Sequence, residues 1–449
     1  MRRRKPFRAI AVATGLLFVT VVSAVGHQSA LRSGTVYGDE NDWITRSYFL
    51  RLTLNHDFRH PLWTGVDGID QPHVTDFVVG LGLIASGRPL PEVPSISRSW
   101  FNSSLPYGEK LRAGRRPCAV LGTLVAPLLF CIGLMATRRL AVGLVAGLLY
   151  ALHPLALEWQ SRAMSDGPTV FTSILALTLL QSFVCTNPLF APVPRGSTRY
   201  VARLALCGFA CGLAVATKLN GYLVAICPVA TLGLAILRAV VLRRGDVRQV
   251  ARLSAAYGAV FVVSTITATV ALNPTLYHSP VRTMGRMLAH RWETTGHQQK
   301  GFPTEALPEL SQRVERLFQA LLWTYPEVPS DLFSMIHLNL AGLGLAVMAV
   351  RVARAGGDSE TWARSIPMLV WTLTVGAVMT PMVFMHWPRY YLLHVTCWEL
   401  LTGVGLVAAV DSFARLLQRR RRPPPAAEAV PHFSSQADAI DPSRFSTGA

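Results

Sequence analysis

An acidic group, Asp39, Glu40 and Asp42, directly follows the first apolar segment of the chain and precedes an amphipathic stretch. A carboxylate beside a membrane surface can act as a general base toward a hydroxyl, or can bind a metal ion. Two other interpretations fit the same residues: Asp42 could be the N-cap of a helix over 43–54, or the group could be a solvated acidic turn. The position after the first apolar segment favours catalysis, with Asp39 and Glu40 as the candidates.

Three basic residues, Arg162, Lys218 and Arg389, fall at or near the ends of apolar segments in short polar turns. Arg and Lys form charge-assisted hydrogen bonds with phosphate, so three that converge would bind an anion at the membrane surface. The alternative is that they snorkel or form structural pairs, for example Arg162 with Asp166 four residues later. Their common predicted side of the membrane favours the anion site.

The elements that must position these residues are membrane helices. The chain has 449 residues, 51% hydrophobic and 15% charged, with a mean hydropathy of +0.34. Soluble domains carry about 25% charge, so this composition excludes a soluble enzyme, a disordered chain and a coiled coil. The net charge of +18 is typical of basic cytoplasmic loops and not of nucleic-acid binding. The seven cysteines lie in or beside apolar stretches without metal-ligand spacing, which excludes a disulfide framework.

A spanning helix needs about 20 apolar residues. The sequence has segments that reach or approach this length at 9–26, 117–137, 140–153, 167–186, 201–217, 219–238, 252–272, 332–350, 366–385 and 390–410. The third is short, and we expect its helix to continue into the following loop. The predicted fold class is therefore an all-α polytopic membrane protein with about ten transmembrane helices.

With the N-terminus inside, the cytoplasmic pieces hold 24 of the 43 Lys and Arg residues but only 7 of the 25 Asp and Glu residues. This asymmetry obeys the positive-inside rule and places both termini in the cytoplasm. The strong preference for Arg over Lys indicates a bacterial plasma membrane. We expect one membrane domain over 1–410 and a basic, Pro-rich, disordered cytoplasmic tail over 411–449.

Two loops on the predicted outer side, 27–116 and 273–331, are far longer than the others, and long loops in a compact fold are usually functional. The first contains Trp43–Leu54 and Val74–Ile84, which suit helices lying at the membrane interface. Chemistry at the outer face, next to lipid, is the natural inference.

Five short motifs, in order along the chain, resemble those of the family-39 GT-C glycosyltransferases. This group includes dolichyl-phosphate-mannose protein mannosyltransferases and bacterial lipid A aminoarabinose transferases. The motifs are Asp39-Glu40; His153-Pro154 with Gln160-Ser161-Arg162 and Asp166; Ala216-Thr217-Lys218-Leu219-Asn220-Gly221; Asn273-Pro274 followed by Thr295-Gly296-His297; and Arg389-Tyr390-Tyr391-Leu392. The resemblance implies a GT-C-type bundle with interfacial helices on the first outer loop.

The resemblance also implies an activity: transfer of a sugar from a polyprenyl phosphate or diphosphate carrier to a hydroxyl of a glycan, lipid or protein at the outer face, with inversion. Asp39 would be the general base, with Glu40 beside it, and Arg162 and Lys218 would lie near the carrier phosphate. The remaining matched positions imply substrate contacts by Asp166, His297, Arg389 and Tyr391. A divalent metal at the acidic pair is left open. Membrane lipid is the other expected partner, and no nucleic acid is expected.

The sequence departs from the family pattern in its first outer loop, where Asp70-Gln71-Pro72-His73 stands in place of an HPP-like motif, so we expect different acceptor contacts. Two other functions fit a polytopic membrane protein. A transporter of lipid-linked sugars is disfavoured by the lack of an internal repeat, and a non-catalytic scaffold is disfavoured by the intact candidate site. His290, Trp292 and His297 have no third ligand at metal spacing, and Glu399, inside the last apolar segment, is expected to pair with a neighbouring polar group.

Overall fold

The structure is a computed structural model that describes residues 4–32, 36–94, 108–186, 198–242, 247–322, 330–355 and 358–421. Over these ranges the long regular elements are all helices. They are α1 (Arg4–Ala30), α2 (Gly38–Arg46), α3 (Tyr48–Leu54), α4 (Val66–Asp70), α5 (Val74–Ala85), α6 (Glu109–Thr137), α7 (Leu140–Leu152), α8 (Pro154–Gln160), α9 (Asp166–Thr186), α10 (Thr198–Thr217), α11 (Ile226–Val241), α12 (Val247–Ala271), α13 (Pro280–Gly301), α14 (Leu310–Leu322), α15 (Ser330–Arg354), α16 (Ser359–Leu373) and α17 (Leu392–Arg421).

The spans expected from hydropathy are confirmed. Among the described residues, nine helices are long and apolar enough to cross a membrane, or ten if α7 and α8 together form one span. The short third segment does continue as expected, but through a bend of 60° between α7 and α8. The bend follows from His153-Pro154, because proline lacks the N–H that would bond to the preceding turn and its ring clashes with that turn.

Two helix boundaries differ from the hydropathy pattern. The helix α6 begins at Glu109, eight residues before the apolar segment, and α17 continues to Arg421, into the region predicted as tail. Polar helix ends extend past the apolar stretch because only the part in lipid has to be apolar. Residues 422–449 of the predicted tail lie outside the described ranges. By their contacts, Met1–Ala408 form one compact unit, which carries the site, and Ala409–Ala449 form another.

The first long loop folds into short helices, as expected. Its amphipathic stretch forms two helices, α2 and α3, and Val74–Ala85 forms α5. The helix α2 begins at Gly38 with Tyr37 as its N-cap, and the Tyr37 N–H donates to Glu40 Oε2 at 3.1 Å. Asp42 therefore lies inside α2, which corrects the interpretation of Asp42 as an N-cap.

The second long loop supplies α13 and α14, which are joined through a short connection that forms an isolated bridge between Ala306 and Met385. The residues between α14 and α15 include 323–329, which lie outside the described ranges. This loop thus places α13 beside the turn that precedes α17.

Close helix packing sets the position of α15 against α17. A Cβ added to Gly344 or Gly405 would collide with the backbone of the other helix. Glycine at both positions therefore allows the two backbones to approach closely, as small residues do in membrane interfaces. The close approach brings together two helices that both carry buried ionisable side chains, His337 on α15 and Glu399 on α17.

Candidate active site

Asp39 and Arg389, which are far apart in the sequence, form an ion pair. Asp39 lies in the first turn of α2 and Arg389 in the 3₁₀ turn Pro388–Tyr391 that leads into α17. The distance from Arg389 Nη1 to Asp39 Oδ2 is 2.6 Å, and the arginine side chain is 6% exposed against 44% for the aspartate. The Asp39 carboxylate is thus accessible at the protein surface, whereas the Arg389 guanidinium is buried.

Lys218 and Asp166 form a second ion pair beside the first. Lys218 lies in extended backbone directly after α10, and Asp166 begins α9. The Lys218 Nζ donates to Asp166 Oδ1 at 2.7 Å. The ring of Tyr390 links the two pairs, because Lys218 Nζ lies 5.1 Å and Arg389 Cζ 5.5 Å from its centroid. Such cation–π contacts stabilise the two like charges next to each other.

Arg162 also packs against the ring of Tyr37. Its guanidinium carbon is 5.5 Å from the Tyr37 ring centroid and 4.7 Å from that of Trp159, and Arg389 is 5.1 Å from the same Tyr37 ring. Its Nη2 donates to Glu158 Oε1 at 2.7 Å. The predicted alternative, a pair with Asp166, is therefore wrong, because Asp166 contacts Lys218 instead. Burial raises the pKa of the Tyr37 hydroxyl, which stays protonated at neutral pH.

Glu40 is fully buried and turned away from Asp39. It accepts from Arg115 Nε at 2.7 Å and from Arg115 Nη2 at 2.5 Å, and also from the backbone N–H of Ala163 at 2.9 Å. Arg162 Nη1 is 3.6 Å from its Oε2. One carboxylate therefore holds together α2, α6 and the segment that carries Arg162.

Three members of these pairs, Asp166, Lys218 and Arg389, line a cavity of about 150 Å³, and Asp39 contacts this wall through Arg389. Its wall is polar near Lys218 and Arg389 and largely apolar elsewhere, with three methionines. The lining residues are Asp166, Thr169, Val170, Lys218, Leu219, Asn220, Tyr222, Leu223, Leu288, Arg291, Trp292, Thr295, Gln298, Met379, Met382, Val383, Phe384, Met385, Arg389, Tyr390, Leu392 and Leu393. Cations at one end of an apolar cavity suit an anionic head group attached to a lipid chain.

Three expected substrate contacts, Arg162, His297 and Tyr391, do not line this cavity. The side chain of His297 is 73% exposed and lies 3.8 Å from Glu293. Arg291, Thr295 and Gln298 on the same helix do line the cavity, because these positions share one helical face and 297 does not. Tyr391 is fully buried with its hydroxyl 3.2 Å from His386 Nδ1. The adjacent Tyr390 lines the cavity in its place.

Four residues at or near the site were not predicted as site residues from the sequence: Tyr37, Arg115, Arg291 and Tyr390. Tyr390 stands within the motif at 389–392 and Tyr37 lies two residues before Asp39, and helical spacing from Leu288 could have indicated Arg291. No local signal marks Arg115 as the partner of Glu40, since these residues lie 75 positions apart.

The motif Asp70-Gln71-Pro72-His73 is part of a buried network within the first long loop. Arg46 contacts Asp70 at 3.3 Å and Asp76 at 3.2 Å. His73 contacts Asp76 at 2.9 Å through Nδ1 and Thr275 at 2.7 Å through Nε2. Burial lowers the pKa of His73, so its ring is neutral at pH 7. These residues brace the loop against the segment that follows α12.

The acidic pair does not present its carboxylates to one common ion. Asp39 is bound by Arg389 and Glu40 by Arg115, in different directions. Within the described part of the chain, no group of three or more His, Cys, Asp or Glu side chains is arranged to hold a metal ion. His290 contacts Asp70 at 3.6 Å and lies apart from His297. The residues present at the pair thus do not fit a divalent-metal site.

The comparisons with known proteins agree with this architecture. Residues 98–289 match the model of the dolichyl-phosphate-mannose-protein mannosyltransferase family, which is less than half of the chain. No curated protein matches the sequence.

Two solved structures share the fold at low identity. The archaeal oligosaccharyltransferase AglB from Archaeoglobus fulgidus, in complex with an inhibitory peptide and a dolichol-phosphate, is 13% identical with a TM-score of 0.54, over 93% of this chain and 53% of that chain. ArnT from Cupriavidus metallidurans, bound to undecaprenyl phosphate, is 15% identical with a TM-score of 0.50, over 92% of this chain and 63% of that one. This chain therefore spans less than two thirds of either structure, and the likeness confirms the all-α polytopic fold class.

Proposed function

We propose that the protein is a membrane glycosyltransferase that moves a sugar from a polyprenyl-phosphate carrier to an acceptor hydroxyl at the outer face of the membrane. One observation carries the proposal: Asp39 lies 2.6 Å from Arg389, which together with Lys218 borders an apolar cavity. An accessible base thus lies next to a cationic site that can hold a lipid phosphate. The family match and the solved structures with lipid phosphates support the same class of donor.

The ion pairs suggest how donor binding prepares the base. Without substrate, Arg389 is neutralised by Asp39 and Lys218 by Asp166. The donor phosphodiester carries one negative charge and competes for the same two cations. Once Arg389 binds the phosphate, the oxygens of Asp39 become available to accept a proton, which couples activation of the base to the presence of the donor.

The transfer is a single displacement. Asp39 accepts the proton of the acceptor hydroxyl, and the hydroxyl oxygen forms a bond to the anomeric carbon on the face opposite the phosphate. The bond from the anomeric carbon to the phosphate oxygen breaks, and its electron pair stays on the phosphate. The configuration is inverted. The departing polyprenyl phosphate gains one negative charge, which Lys218 and Arg389 stabilise.

Glu40 and Arg162 act on this site indirectly. Glu40, buried and bound by Arg115, positions α2, and Arg162 packs against the Tyr37 ring. Of the two adjacent carboxylates, only Asp39 is accessible and contacts an arginine that lines the cavity, whereas Glu40 is fully buried. We therefore assign the proton transfer to Asp39.

The substitution Asp39→Asn tests the proposal. We expect transfer from a panel of polyprenyl-phosphate hexoses and pentoses to fall by about 10²- to 10⁴-fold, the usual contribution of a general base. Binding of polyprenyl phosphate without sugar should persist, because Lys218 and Arg389 are unchanged. Asp57→Asn, at an exposed position of the same loop, is the matched control and should transfer normally. Normal product formation by Asp39→Asn would discard the assignment of the base.

A further inference from the structure

Three ionisable side chains that the proposed mechanism does not use meet inside the helix bundle. Glu399 on α17 is fully buried. Its Oε2 lies 3.2 Å from His337 Nε2 on α15, and its Oε1 lies 3.8 Å from His153 Nε2 at the bend between α7 and α8. The expectation that Glu399 pairs with a neighbouring polar group is thus confirmed.

Such a cluster needs a reason, because ionisable groups at membrane depth are costly and are usually kept for function. The two imidazoles give the buried carboxyl group polar neighbours inside the bundle, which lowers that cost. None of its three residues lines the cavity. The cluster therefore lies apart from the cavity wall, and the role that its position suggests is structural control of the site.

The cluster joins the two segments that carry Arg162 and Arg389, the two arginines in contact with the Tyr37 ring. The bend at His153 sets the direction of α8, which leads to Trp159 and Arg162. A second contact, from Gln160 Nε2 to the Tyr150 hydroxyl, bridges the same bend. Glu399 belongs to α17, which begins directly after the turn with Arg389.

We propose that Glu399 is a positioning residue that, through His153, fixes α8 relative to α17 and so fixes the spacing of Arg162 and Arg389 around Tyr37. The inference rests on the proposed function, since the site it positions is the proposed one. A change of about 1 Å in such a spacing can reduce the rate by up to about 10²-fold. Lys218 and Asp166 are held by other helices, so donor binding should change less than turnover.

The test compares two substitutions at position 399 in the full-length protein. In Glu399→Leu the contacts with both histidines are lost, and we expect kcat to fall about tenfold or more while KM for the donor changes less than threefold. In Glu399→Gln the amide can still accept from one imidazole and donate to the other, and we expect most of kcat to return. Thr402→Val, buried one turn further along α17, is the control for general packing damage and should keep kcat.

A substitution of His153, the partner of Glu399 in this contact, tests the inference if Glu399→Leu does not fold. His153→Gln should lower kcat by a similar factor, and combining it with Glu399→Ala, which also removes both contacts of the carboxyl group, should add little further loss, because coupled residues are not additive. Unchanged kcat in Glu399→Leu, an equal loss in Thr402→Val, or full additivity would each overturn the inference. If the unaltered protein neither binds polyprenyl phosphate nor transfers sugar, the proposed function fails instead.

Discussion

The three carboxylates of α2 have different surroundings, and these surroundings determine the role of each carboxylate. Asp39 is accessible and paired with a cavity-lining arginine, whereas Glu40 is buried under Arg115. Asp42, one turn along α2 from Asp39, is partly exposed. Its pKa is raised to about 7, first by burial and then by the negative charge of Asp39. Three acids of one helix thus have different proposed roles. Asp39 accepts a proton, Glu40 stabilises the fold, and Asp42 changes its charge with pH.

Removal of Glu40 should be costly for stability. Glu40→Gln leaves Arg115 buried without its anionic partner, and breaking a buried pair in this way typically costs about 3–5 kcal/mol. We expect a clear fall in the apparent melting temperature of the detergent-solubilised protein. Glu158→Gln is the control, because its side chain is 53% exposed and exposed pairs contribute less than about 1 kcal/mol. Equal melting temperatures for the two variants would contradict the structural role of Glu40.

Asp42 should make stability depend on pH. Its folded pKa of about 7 lies above the ordinary value of 3.8, so between these values the folded state binds more protons than the unfolded state. Stability therefore decreases as the pH rises from about 4 to above 7. Asp42→Asn removes this contribution. The variant should gain about 1 kcal/mol relative to the unaltered protein at pH 8, after allowance for solvent screening, and little at pH 4.

A melting series of both proteins from pH 4 to pH 8 measures this difference. A constant difference across the series would show that Asp42 titrates in the ordinary range.

At the scale of elements, one face of α13 forms part of the cavity wall. Arg291 lines the cavity and its Nη2 lies 3.4 Å from the Tyr390 hydroxyl, whereas His297 on the other face is exposed to solvent. The amphipathic arrangement follows from helical periodicity, which places positions three and four apart on one side. This helix can therefore contribute a third cation to the proposed lipid-phosphate site.

Substitutions on the two faces of α13 should have different effects. Arg291→Ala removes a cation from the cavity wall, and we expect the affinity for polyprenyl phosphate to fall about tenfold, as for one charge-assisted hydrogen bond. His297→Ala changes only the exposed face and should bind as the unaltered protein does. Titration of each variant with polyprenyl phosphate measures the difference. Weaker binding by His297→Ala alone would show that the faces are assigned the wrong way round.

At the scale of the whole molecule, the distribution of charge predicts the orientation of the chain in the membrane. The predicted cytoplasmic pieces hold 24 of the 43 basic residues, and on this basis α13 and the acidic helix α2 lie outside. The proposed transfer at the outer face depends on that orientation.

Accessibility to a membrane-impermeant thiol reagent tests the orientation in intact cells. A cysteine at Lys300 in α13 should be labelled from outside, and one at Arg354, at the end of α15, should be protected until the cells are opened. Both positions are exposed in the structure, so labelling reports the side of the membrane and not burial. The reverse pattern would invert the predicted topology.

The sequence by itself determined the membrane class, the helical spans and the identity of most charged residues at the site. Hydropathy suffices for the spans because every helix in lipid must be apolar over a fixed length. Asp39, Asp166, Lys218 and Arg389 could be singled out because charged residues are scarce next to spans.

Only the tertiary structure decided which of these residues meet. Asp39 pairs with Arg389, which lies near the opposite end of the membrane domain in sequence. Glu40 pairs with Arg115. Which side of α13 faces the cavity, and whether Tyr390 or Tyr391 lines it, depends on how the helices pack. The physical reason is that local pattern fixes the helices, whereas the relative rotation and approach of the helices follow from contacts between distant parts of the chain.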